Sequence, residues 1–139
     1  MSFEEKRVWI YAAIAAGVPV VYLAIVLPQV AQTPISEIAY VRPLLTIIGV
    51  AMAANIVANI VAGMLWPRDA NKKDERDTDI HRYGQRTEYY VLAIGALGVF
   101  VLTLAEFEHF WIANALYLSF VLSALSSSIV KIVAYRRGF

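Results

Sequence analysis

The sequence predicts an all-α protein: a bundle of four transmembrane helices arranged as two antiparallel hairpins, with both termini in the cytoplasm. Three observations predict it. Hydrophobic residues fill 60% of the 139 positions and charged residues only 17%, with a mean hydropathy of +0.61. A soluble domain runs nearer half apolar and one-quarter charged. Four stretches carry no Asp, Glu, Lys or Arg: 8–27, 43–66, 89–105 and 110–130. Each is close to the roughly 20 residues that an α-helix needs to cross about 30 Å of hydrocarbon. The third observation is the one-sided placement of positive charge. Of the 12 Lys and Arg residues, only Arg42 lies between spans 1 and 2, and none lies between spans 3 and 4. Short cytoplasmic loops retain such residues and translocated loops avoid them.

Span 1 begins after Lys6 and Arg7 and contains Pro19, which removes an amide donor and predicts a bend. Pro28 and Pro34 are expected to stop it, leaving an outer connection over 28–42. In span 1, Ala13 and Gly17 form a stripe of small residues, and in span 2 Gly49 with Ala53 and Ala54 with Ala58 and Ala62 form others. Such stripes let backbones approach where lipid gives no hydrophobic driving force for helix association. Span 3 and span 4 are joined by only Glu106 to His109, which makes them an antiparallel hairpin. Seven identities at a constant offset of 81, among them Gly17 with Gly98 and Leu23 with Leu104, raise the prospect of a parallel duplication. Trp9, Trp66, Tyr89, Tyr90, Trp111 and Tyr135 stand at span ends, where amphipathic rings prefer the headgroup region. The whole chain, 1–139, therefore reads as a single integral membrane domain.

The connection 67–87 holds six basic and five acidic residues, so it is densely charged yet almost neutral. Asp77 or Thr78 is placed to cap a helix running into span 3, with Ile80, Tyr83, Thr87 and Val91 on one face. Inside the spans, Asn55 and Asn59 share a face of helix 2, and Ser119, Ser123 and Ser127 share a face of helix 4 leading to Lys131. A buried amide without a partner costs several kcal/mol, so these groups are expected to bond between helices.

Reactive constellations are sparse. There are no cysteines, which excludes disulfides, thiolate metal sites and cysteine nucleophiles. A net charge of +1 does not provide the concentrated basic surface of a direct nucleic-acid binder. Glu106 and His109 have the spacing of one half of a di-metal bundle site, but no second pair exists. Glu88 and Glu106 are expected at the membrane borders and not at mid-depth, where a proton-coupled carrier would need an ionisable group. The expectation is no enzyme activity, no cofactor and no metal.

The segments Asp74-Glu75-Arg76-Asp77 with Ile80 and Arg82, Phe110 to Leu118, and the tail Val130 to Phe139 resemble a family of small uncharacterised bacterial four-helix membrane proteins. Members are commonly encoded beside a small helix-turn-helix regulator. The resemblance covers the second half of the chain and implies residence in the bacterial inner membrane. It assigns no activity. The functional expectation is a non-enzymatic sensor or membrane partner of a cytosolic helix-turn-helix regulator. Asp74, Glu75, Arg76, Asp77, Ile80, Arg82, Arg136 and Arg137 are the candidate contact residues. One alternative is a small transporter or channel, working as a homodimer in the lipid bilayer, with a polar path along Asn55 and Asn59 against the helix 4 serines. A second is an immunity or stress-tolerance protein.

Overall fold

The computed structural model describes residues 1–138; Phe139, the last residue of the tail noted above, lies outside the described residues. It is all-helical: α1 (Phe3–Gln32), a 3-10 turn (Ile35–Glu37), α2 (Val41–Leu65), α3 (Glu75–Leu104) and α4 (His109–Arg137). Each of the four long helices is long and apolar enough to cross a membrane. The protein is a small multi-pass membrane protein of the four-helix class.

Local chemistry sets the boundaries and shifts two of them from expectation. Ser2 starts α1 by accepting the amide of Glu5, and Glu4 and Glu5 in the first turn complement the helix dipole. Pro28 does not stop α1, which continues to Gln32. A transmembrane helix tolerates an internal proline because nearby groups can satisfy the freed carbonyl. α3 starts earlier than expected, and its cap is Asp74, not Asp77 or Thr78. The Asp74 carboxylate accepts the amide of Asp77 at 2.7 Å while the Asp77 carboxylate accepts the amide of Asp74 at 3.3 Å, a reciprocal capping box. The charged connection thereby shrinks from 67–87 to 66–74. At the far end of α3, Glu106 takes a left-handed φ of 56°. Its amide donates to the carbonyl of Thr103, and the Phe107 amide donates to Leu102. This paired closure is the Schellman arrangement.

The helices are arranged in the order α2, α1, α4, α3, with α1 against both α2 and α4, and α3 held by α4. No residue in the most apolar window of α3 is buried, so this helix lies on the outside of α4. One end of the molecule, here the terminal end, gathers the start of α1, the end of α2, the start of α3 and the end of α4. Lys6 lies over the Trp66 ring and Arg136 over the Trp9 ring. At the opposite, hairpin end, Tyr22, Val26, Ile38, Leu44, Ile47 and Phe110 form a buried cluster. Tyr22 meets Tyr117 edge-on with ring centroids 5.2 Å apart, and its hydroxyl donates to Asn114 of α4.

Close backbone approach occurs between α3 and α4 and not along the α1 and α2 glycines. Gly17 and Gly49 face open space, and Ala13 and Ala53 are exposed. A Cβ at Gly95 would fall 2.3 Å from the Ser119 hydroxyl, and one at Gly84 would fall 2.2 Å from the Lys131 side chain. Small residues permit close packing only where a partner arrives. Ala62, which is buried, with half-buried Ala54 and Ala58, is the part of the expected stripe that packs.

Candidate functional site

Between the hairpin-end cluster and the terminal end, a cleft runs along α1, α2 and α4. Its outer part, about 320 Å³, is lined by charged and polar side chains: Glu4, Arg7, Asn59, His81, Glu88 and Lys131 among others. Its inner part, about 630 Å³, is almost wholly apolar, with Ile14, Val18, Leu44, Ile48, Leu116 and Phe120 in its walls. Tyr11, Asn55 and Glu88 line both parts and so mark the junction.

Each helix delivers its residues to the cleft for a local reason. Arg7, one turn into α1, donates from Nε to the Asn59 side-chain oxygen at 2.8 Å and pairs with Glu4 at 3.4 Å. Asn59 returns its amide nitrogen to the backbone of Asn55, and Asn55 donates to Ala51. These asparagines thus bond largely within α2, and a single link crosses to α1. Pro19 has no amide to offer the carbonyl of Ala15, and both residues line the inner cleft. Glu88, expected at a membrane border, is turned inward and shares the cleft wall with Asn55, which is near the middle of α2.

Lys131 lays its aliphatic stem across Gly84, and its ammonium makes no hydrogen bond or ion pair among the described residues. Burial pulls its pKa below the ordinary value, and the carboxylates of Glu88 and Glu4 partly oppose that shift. Burial also lowers the pKa of His81, assisted by the positive charges of Lys131 and Lys73.

The expected path along Asn55 and Asn59 against the serines is assembled only in part. Ser119 packs on Gly95 of α3, and Ser119, Ser123 and Ser128 donate to carbonyls of their own helix. Ser123 alone reaches the inner cleft. Ser127 is fully buried and its hydroxyl has no partner among the described residues. The reason is helix order: α1 lies between α2 and α4, and Ser119 is turned toward α3. Asn114, noted in the sequence only within the resemblance segment, bonds α4 to Tyr22 of α1, and an asparagine inside an apolar span is the signal for such a link. Glu106 lies in the turn after α3 and His109 begins α4, so they do not share a helical face.

The candidate contact residues divide sharply. Asp77 and Ile80 are not surface groups, with exposures of 5% and 1%. Asp77 accepts the Tyr135 hydroxyl at 2.7 Å, while Asp74 serves as the cap. Arg76 donates to the Tyr135 carbonyl at 3.2 Å and its guanidinium lies near the Tyr135 ring. This group fastens the start of α3 to the end of α4. The same contacts hold the Tyr135 phenol neutral, its pKa raised by burial and by the Asp77 carboxylate. Glu75, Arg82, Arg136 and Arg137 remain exposed, with Asp79 and Arg86 beside them on α3. No protein family model, curated protein or solved structure matches the chain.

Proposed function

We propose that the protein is a non-enzymatic membrane sensor whose partner is a cytosolic helix-turn-helix regulator, residing in a bacterial inner membrane with both termini inside. The observation that carries this reading is the division of labour on one helix. Along its charged first half, α3 presents Glu75, Asp79, Arg82 and Arg86 outward, while His81, Gln85 and Glu88 of the same stretch line the cleft. From Glu75 to Glu88 this stretch is about 20 Å of continuous helix at 1.5 Å per residue. The Asp77, Arg76 and Tyr135 contacts clamp it to α4, so a change in the cleft is carried to the outer face by a stiff element. The one-sided positive charge supports the cytoplasmic placement of that face.

Site-specific photocrosslinking from position 79, exposed on the same face of α3, tests it in native membranes. The expected result is a crosslink to a helix-turn-helix protein, identified by mass spectrometry and lost when Glu75, Arg82 and Arg86 are charge-reversed together. A crosslink unchanged by that reversal, or one formed only to other membrane proteins, would overturn the reading.

A further inference from the structure

Glu88 is the single charged side chain in the wall of the inner cleft, whose other lining residues are aliphatic, aromatic or small apart from Asn55 and Ser123. No hydrogen bond or ion pair engages its carboxylate among the described residues. A carboxylate beside apolar volume is stabilised by a cation that leaves water with it. We propose that the cleft binds a lipophilic monocation, with its positive charge at Glu88 and its apolar body in the space between α1, α2 and α4.

The neighbouring groups favour a cation over an anion at this point. Arg7 faces the site from α1 but is committed to Glu4 and Asn59. Lys131 faces it from α4 and feels the charge of Glu88, but it makes no ion pair with that carboxylate, lines only the outer, polar part and has its stem fixed over Gly84. His81, on α3 itself, also lines only the outer part. The inner part is also lined by the aromatic rings of Tyr11, Tyr117 and Phe120, and ring quadrupoles attract a diffuse cation.

This deepens the sensor reading by naming the chemical class of its trigger, and its test needs no protein partner. Tetraphenylphosphonium and tetraphenylborate have nearly the same size and opposite charge. Each is titrated by calorimetry into the full chain held in nanodiscs of zwitterionic lipid. With the signal of empty nanodiscs subtracted, the phosphonium is expected to bind the protein saturably and the borate to show no binding to it. Glu88→Gln should weaken the phosphonium by about tenfold or more, the scale of one charged contact. Lys131→Gln should tighten it by removing a nearby like charge. Equal binding of the two probes, preference for the borate, or full phosphonium affinity in Glu88→Gln would each overturn the proposal. The wild-type comparison decides the matter even where the Glu88 variant does not fold. Failure here leaves the crosslinking result standing, and failure of the crosslink leaves this binding standing.

Discussion

Tyr135 and Asp77 show how much a single polar pair can decide in a protein with little buried surface. The phenol donates to a carboxylate oxygen that is 5% exposed at the level of the residue, and the same carboxylate closes the α3 capping box. Removing one member of a buried pair leaves the other unsatisfied, at about 1–3 kcal/mol. Tyr135→Phe is therefore expected to destabilise the protein by that amount, measured as a fall in thermal midpoint in detergent. An unchanged midpoint would show that the clamp contributes nothing. His81 makes a second point at this scale. Its folded pKa lies below the ordinary 6.5, because burial and nearby cations disfavour the imidazolium. The stability it contributes is fully present above 6.5 and is lost as pH falls from there through the lowered folded value. Melting curves of the wild type should drop across that acidic window, and His81→Gln should flatten the drop. The buried positions of Asp77 and Ile80 could not be foreseen from 67–87. A charged, nearly neutral connection reads as solvated surface until a second helix is known to lie across it.

At the scale of the element, α3 and its turn into α4 carry most of the local specification. The start of α3 was legible as a cap followed by an amphipathic stretch, but the expected cap was Asp77 or Thr78, and only geometry selects Asp74. Its end is closed by Glu106 in a left-handed conformation that costs an L-residue about 1–2 kcal/mol and glycine little. Glu106→Gly should raise stability by about 1 kcal/mol, read from the same detergent melting curves. A lower midpoint would mean that the side chain outweighs its backbone strain. The α1 prolines teach the converse. Both were visible, yet Pro28 lies within a helix that continues because its membrane setting rewards every retained backbone hydrogen bond.

For the whole molecule, four apolar stretches and their charged flanks were sufficient to give the number of helices, their approximate limits and their antiparallel connection. These properties rest on transfer of each segment between water and hydrocarbon, which depends on local composition. The order α2, α1, α4, α3 was not legible. All four spans are apolar around their circumference, so periodicity does not reveal which face meets which neighbour. That order turns Ser119 toward α3, leaves Gly17 and Gly49 facing outward, and brings Glu88, Tyr11 and Asn55 to one wall of the cleft. The sequence by itself determined that the chain carries four membrane-spanning stretches and gathers all its Lys and Arg residues but Arg42 at one end. Only the tertiary structure decided which polar groups face one another, because helices in lipid associate through shape and a few hydrogen bonds spread over distant parts of the chain.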